Sequence, residues 1–383
     1  MSVKTQQMRR DTLCIHGHKH EDYGTGAITT PIFQTATFAR VGIGEDTEHI
    51  YSRIQNPTRD AVEKTVAVLE GAEEGFAFAS GMAAISTVTE LFSTGDHIIA
   101  TEDLYGGAIR LFTNQKHGLQ FSYVDTNDIS AVKAAIKPNT KAIYIETPTN
   151  PLMHVTDIAA VRQAIPSDIL IIVDNTFLTP YLQNPLQLGA DIVIHSGTKY
   201  LGGHSDALAG FVVANCPVIR EELRTIHKSI GACLAPFDSF FIIKGIKTLA
   251  LRMDRIESNA LAVATWLQSH PKIKTVNYPG FESHPSYAIS KKQARGFGGM
   301  LSFETDTVET AHALLSNLKI ITYAESLGCI NSLLTIPALC THADIPEEVR
   351  NARGITDKFM RFSAGIENPQ DLIDDFARVL GGI

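Results

Sequence analysis

From residue 56 onward two kinds of hydrophobic spacing alternate along the chain. Stretches such as "TRDAVEKTVAVLEGA" gather apolar residues on one helical face, whereas "HIIATED", "FSYVDT", "AIYIETP", "ILIIVDN" and "DIVIHSG" are short β-branched runs. Strands apolar on both faces and separated by helices predict a parallel sheet covered by helices on both sides. Four strand ends carry polar or acidic residues and a turn: "ATEDLYGG", "IETPTNP", "VDNTFLTP" and "HSGTKYLGG". Open parallel sheets bind ligands beyond the carboxyl ends of their strands, so these four ends predict one shared site.

The spacing changes on either side of this region. Residues 1 to about 53 are rich in Gly, Thr, His and Pro with no sustained helical period, which predicts an irregular arm. Near residue 240, "FFIIKGIKTLALRMDRIESNALAVATWLQSH" predicts a long helical connection, and strands such as "MLSFETD" follow in a smaller α+β part. The expected organisation is an arm over 1–54, a large domain over 55–245 and a carboxy-terminal domain over 246–383. No internal repeat or low-complexity tract interrupts it.

Composition narrows the partners. The 383 residues are 44% hydrophobic and 19% charged, as in ordinary globular chains. A net charge of -8 without a basic run argues against nucleic acid and anionic membrane, which leaves small molecules. The five cysteines are odd in number and form no CxxC pair, so neither a disulfide framework nor a zinc site is expected. The amino-terminal stretch has no apolar core of signal-peptide length and no run is long enough to span a bilayer, so a cytoplasmic location is expected. "CIHGHKHED" is dense in histidine, but no HExxH or Cys/His knuckle accompanies it, and a polar arm without metal is the expectation. "YLGGHSD" is not GxGxxG and no GxxxxGK[ST] occurs, which weakens dinucleotide and P-loop readings.

The candidate chemistry gathers on "DIVIHSGTKYLGGHSD". Lys199 follows a strand that reads as buried, between the hydroxyls of Ser196 and Thr198 and a glycine pair. A desolvated amine has a lowered pKa and attacks an aldehyde to form a Schiff base. Pyridoxal phosphate is the cofactor that matches. It requires an acidic partner for its ring nitrogen, a phosphate cradle and an aromatic face. Asp174 ends the strand one βα unit earlier, although an Asp at a strand end is more often a helix cap. Ser80 and Gly81 open a helical pattern beginning near Met82, where backbone amides bind phosphate; a plain N-cap is at least as good a reading of that stretch alone. Tyr105, in "TEDLYGG", offers a ring, and a lone Tyr is more often packing.

The chain resembles the Cys/Met metabolism family of pyridoxal-phosphate enzymes, which includes the cystathionine lyases and cystathionine gamma-synthase. The likeness runs nearly end to end, through "YSRIQNPTRDAVEKTVAVLEG", "FAFASGMAA", "EDLYGG", "IETPTNP", "VDNTFLTPYLQNPLQLGADIVIHSGTKYLGGHSD", "GIKTLALRM", "YPGFESHP", "ESLG" and "MRFSAGIEN". It implies the fold-type-I transferase architecture, with a mostly parallel sheet in a large domain and a smaller α+β domain. It implies that Lys199 holds the cofactor covalently and moves protons, and that Asp174 faces the ring nitrogen. The phosphate falls to Gly81, Met82, Ser196 and Thr198, and to Tyr51 and Arg53 reaching from a neighbouring subunit of a homotetramer. Tyr105 stacks on the ring and shares in catalysis, and Asn150 sits near the ring oxygen. Arg361 with Ser332 anchors the substrate carboxylate, and Asn150 and Asn331 also face the substrate.

The chain departs from that pattern in places. The cystathionine-processing gamma enzymes usually carry glutamate where Asn331 stands, and often an acidic residue where Ile50 precedes Tyr51. The methionine gamma-lyase group has a reactive cysteine after "LYG", where this chain has Gly107 and Ala108. The activity implied is carbon–sulfur cleavage of cystathionine or a related sulfur amino acid by gamma or beta elimination. The alternative is cystathionine gamma-synthase, which replaces the gamma substituent of an acylated homoserine with cysteine.

Overall fold

The structure is a computed structural model that describes residues 8–18, 24–45, 47–114, 118–343 and 346–382. The fold is α/β, with a mostly parallel large sheet and a second, smaller one. Its strands are β1 Glu74–Phe78, β2 His97–Thr101, β3 Gln120–Val124, β4 Thr140–Glu146, β5 Leu170–Asp174, β6 Ile192–Ser196, β7 Gly210–Ala214, β8 Ile273–Asn277, β9 Met300–Thr305, β10 Thr322–Tyr323, β11 Leu333–Thr335 and β12 Phe359–Ser363. By compactness the chain divides into one unit of residues 1–93 and 170–250 and another of 94–169 and 251–383. This division does not follow the linear boundary expected at residue 245, because compact units form from segments distant in sequence. The smaller sheet, β8 to β12, nonetheless lies wholly beyond residue 246.

In the first unit, β5 and β6 run parallel with Asp174 opposite Ile194. β7 is antiparallel to both β6 and β1. Neither β1 nor β7 stands out in the sequence, and their antiparallel pairing makes the sheet mixed at this side. Ile192, Val193 and Ile194 are fully buried. Each such side chain contributes about 1.5–3 kcal/mol relative to exposure. The helix Pro57–Glu70 starts where Asn56 accepts a bond from the Thr58 amide and a proline occupies its first turn. The expected arm contains a short helix, Arg10–His16, that seven residues are too few to reveal by periodicity. Arg10 fastens it by donating to the carbonyls of Leu69 and Pro180. The predicted helical connection is two helices, Pro236–Ile246 and Leu249–Ser269. The break falls where Thr248 donates backbone and side-chain bonds to the Gly245 carbonyl, a tight i to i+3 closure that ends the helix.

In the second unit, β2 pairs in parallel with β3 and β4. β3 is only partly buried, so the expectation of strands buried on both faces fails there. The smaller sheet has the order β10-β11-β12-β9-β8, with β12 antiparallel to both β11 and β9. Arg361 lies on its central strand, opposite Ser302 and Thr335. Among the described residues no helix is long and apolar enough to cross a membrane.

Candidate active site

In the first unit the ends of β5 and β6 are joined by side chains. Asp174 Oδ1 accepts from the Thr176 amide at 3.0 Å and its hydroxyl at 2.6 Å. Thr176 Oγ1 accepts in turn from the Ser196 amide at 2.8 Å. Asp174 therefore does cap the turn after its strand, and the same bonds hold it beside Ser196. Sequence reasoning passed over Thr176; the Asx pattern in "VDNT" is the signal that finds it.

Lys199 stands three residues past β6, half-buried, in a turn closed by three backbone bonds. Its amide donates to the Ser196 carbonyl at 3.3 Å, its carbonyl accepts from Gly203 at 2.8 Å, and the Gly202 amide bonds the Gly197 carbonyl at 2.9 Å. The Thr198 hydroxyl exchanges bonds with the backbone of Ala209 at 3.1–3.3 Å. These bonds fix the loop that carries the lysine.

The helix Gly81–Thr89 points its amino terminus at the same strand end. Ser80 Oγ accepts from the Ala83 amide and its carbonyl from Ala84, so the helix caps itself at those two amides. The amides of Gly81 and Met82, in the first turn, are left without an intrahelical partner. A Cβ on Gly81 would lie 2.9 Å from Ser196 Cβ and 3.0 Å from its Oγ, so only glycine admits this approach of helix and strand. An open helix terminus and a hydroxyl thus share one small space, which suits a phosphate.

The second unit supplies a different cluster. Arg361 is buried on β12, donating to Asn150 Oδ1 at 3.0 Å and to the Ser326 carbonyl at 2.8 Å. His342 Nε2 lies 3.1 Å from the Asn150 carbonyl, and its Nδ1 lies 2.8 Å from the Thr341 hydroxyl. Burial pushes the His342 imidazole down to about 4, with the positive charge of Arg361 adding to the effect. Tyr105 caps the helix Gly106–Thr113, half exposed, with its amide on Glu146 Oε2 at 2.9 Å. A Cβ on Gly106 would fall 2.0 Å from the Thr341 carbonyl, so the His342 loop and the Tyr105 helix meet only because this residue is glycine. Ser326, at a positive φ of 80°, and His342 escaped sequence reasoning. A lone His gives no sequence signal, and Ser326 lay within "ESLG" unremarked.

Ser332 is not brought onto Arg361 by its hydrogen bonds. Its hydroxyl donates to Glu367 Oε2 and accepts from the Gly365 amide, both at 2.9 Å, and its amide reaches Glu367 Oε1 at 2.6 Å. Asn331 beside it is exposed. Tyr51 and Arg53 are also exposed and turn to each other, with the guanidinium 5.4 Å from the ring centroid. Arg53 donates to the Lys228 carbonyl. Neither has a hydrogen bond to Lys199, Ser196 or Thr198 among the described residues. Of "CIHGHKHED", His18 lies between the Thr65 and Thr30 hydroxyls, and residues 19–22 lie outside the described ones. Glu48, His49 and Asp60 place ligand-type atoms within 4.8 Å of one another, and His49 Nε2 lies 2.7 Å from Asp60 Oδ2.

A model of the family described as Cys/Met metabolism PLP-dependent enzyme matches residues 11–381. The chain belongs to that family. It is a pyridoxal-phosphate-dependent enzyme of cysteine and methionine metabolism. Cystathionine gamma-lyase of Bacillus subtilis is 49% identical over 98% of this chain and 100% of the relative. Cystathionine beta-lyase of Lactococcus lactis subsp. cremoris is 48% identical over 96% and 98%. The crystal structure of cystathionine gamma-lyase from Lactobacillus plantarum complexed with L-serine superposes with a TM-score of 0.94 at 47% identity, covering 98% of this chain and 100% of that one. The first unit's residues fit the cofactor. They offer an amine, a carboxylate and an open helix terminus beside a hydroxyl, with a glycine where a side chain would fill the cradle.

Proposed function

We propose that the protein is a carbon–sulfur lyase that cleaves cystathionine by gamma or beta elimination. The observation that carries the reading is that Lys199, Asp174 and Arg361 are all present in a chain that cystathionine lyases match nearly end to end. When bound, pyridoxal phosphate supplies an electron sink for the negative charge left at the substrate's alpha carbon. The chain's own groups do the rest. The Lys199 amine holds the cofactor, takes the alpha proton and returns it, the role of a positioned general base and acid. Asp174 keeps the ring nitrogen charged, and the Gly81 and Met82 amides with Ser196 and Thr198 hold the phosphate. Tyr105 covers the ring face. Arg361 grips the substrate carboxylate through its planar fork, with Asn150 orienting it.

The Ser332 hydroxyl, already engaged by Glu367 and Gly365, acts on the substrate through the shape of its loop. Asn331 and Ile50 leave the far end of the substrate facing uncharged side chains. The enzyme works in the cytoplasm as a homotetramer. Exposed Ile28, Val41, Ile43 and Tyr51 on the arm support a neighbouring subunit that covers them and receives Tyr51 and Arg53.

The test is product identification with purified enzyme and cystathionine. 2-Oxobutyrate with cysteine is the expected result and means gamma elimination; pyruvate with homocysteine means beta elimination. Turnover of acyl-homoserine and cysteine into cystathionine, without cleavage of cystathionine, overturns the lyase reading in favour of the synthase.

A further inference from the structure

Behind the strand ends that carry Asp174 and Ser196, one buried carboxylate ties the sheet together. Glu70 is the last residue of the helix Pro57–Glu70 and is fully buried. Its Oε1 lies 2.7 Å from His195 Nε2 and accepts from Asn175 Nδ2 at 3.0 Å. Its Oε2 accepts from Asn184 Nδ2 at 3.1 Å. Gln183 closes the cluster, exchanging two 3.0 Å bonds with the Asn175 side chain. All five residues are 3% exposed or less.

The placement in sequence gives this cluster a consequence. Asn175 directly follows Asp174, and His195 directly precedes Ser196. Consecutive residues of an extended strand leave opposite faces. The pair held by Glu70 is therefore the reverse side of the pair proposed to hold the cofactor. The Asn175 amide also donates to the Ile194 carbonyl at 2.9 Å, so both strand ends are fixed at one point. Desolvating a carboxylate and four polar side chains is costly, and a buried ionic cluster is a weak source of stability compared with apolar packing. What it adds is a single geometry.

We infer that Glu70 is a positioning residue for the cofactor: through His195 and Asn175 it sets the spacing and rotation of the strand ends bearing Asp174 and Ser196. The inference rests on the assignment of those two residues to the cofactor. Glutamine is the informative replacement because it keeps the volume but has one acceptor and one donor. In either orientation its NH2 faces the donating NH2 of Asn184 or of Asn175.

The experiment measures retention of pyridoxal phosphate by the holoenzyme on dialysis, the pH dependence of its visible absorbance, and the melting temperature. Glu70→Gln is expected to weaken retention about tenfold to hundredfold and to shift the absorbance profile. Val66→Ala, a cavity one turn earlier in the same helix that takes no part in the cluster's hydrogen bonds, is expected to lower the melting temperature while retention stays within about twofold. Wild-type retention and profile in Glu70→Gln overturn the inference, as does cofactor loss in Val66→Ala in proportion to its lowered melting temperature. Should Glu70→Gln not fold, His195→Gln, which keeps an N–H able to reach Glu70, is expected to retain the cofactor better than His195→Leu. Equal retention overturns the inference. Asp174→Asn separates the two levels: an unchanged absorbance profile there defeats the site assignment itself. A changed profile there with a wild-type Glu70→Gln defeats only the role of Glu70.

Discussion

The two units hold their candidate site residues by different means. In the first, Asp174 and Ser196 end successive strands of one strand–helix–strand stretch and Lys199 follows three residues later, with the Ser196 amide bonded to Thr176 only 20 residues back. In the second, Arg361 is set by a side chain 211 residues away and by the carbonyl of a loop residue at positive φ. Local construction on strand ends gives a fixed platform, suited to a cofactor common to a whole family. Construction from distant loops lets single substitutions re-aim the arginine, suited to a part that distinguishes substrates. With the roles proposed for these residues, chemistry and specificity separate onto different kinds of scaffold.

Lys199→Ala is the largest break expected on the first side. Removing the amine removes the proposed base, so elimination is expected to fall about a thousandfold or more, measured as thiol release with folding checked by circular dichroism. Arg361→Lys is the matching break on the second side. Lysine is a point charge that cannot keep both the 3.0 Å bond to Asn150 and the 2.8 Å bond to Ser326. The expected result is a KM raised about tenfold to hundredfold with kcat within about threefold of wild type, read from steady-state kinetics. A fall in kcat at constant KM would mean that the arginine serves the chemistry and would erase the separation.

How much was legible in the sequence follows the same division. The strands β2 to β6 and the Lys199 loop were readable because β-branched runs and strand-end turns are local signals. Resemblance added Arg361 and Asn150, which periodicity cannot pair across the chain. β1 and β7 were missed since apolar runs as short as "EGFAF" and "GFVVA" are not told from buried helical segments by spacing alone. His342 was missed because its role is set by burial against Asn150. Ser332 was placed by resemblance on the substrate, while its hydroxyl is occupied by Glu367 and Gly365, a pairing that depends on the turn after β12 and has no trace in spacing.

The smallest expected effect sharpens the comparison most. Two histidines, His227 in the first unit and His342 in the second, are both pushed down to about 4, in each case chiefly by burial. An unfolded chain takes up a proton on each near 6.5, while the folded protein does not until about 4. Between those values the unfolded state binds more protons, so each histidine makes stability rise with pH and fall on acidification, by up to about 1.4 kcal/mol per pH unit. Burial raises Asp103 and Glu257, which contribute with the opposite sign, so the slope of the whole protein is a sum. Comparing each variant with wild type isolates one histidine. His227→Gln and His342→Gln are both expected to flatten the fall in melting temperature between pH 6.5 and about 4. Glutamine retains an N–H for the carbonyl that each ring faces, Ala77 for His227 and Asn150 for His342. His227 faces the Ala77 carbonyl of β1, whereas His342 shares Asn150 with Arg361. KM should therefore shift about twofold to threefold in His342→Gln and stay at the wild-type value in His227→Gln, since only the former moves a group that orients the arginine. Equal KM shifts in the two variants would show that the second unit transmits no more to its arginine than the first does, and the contrast between the two scaffolds would fail.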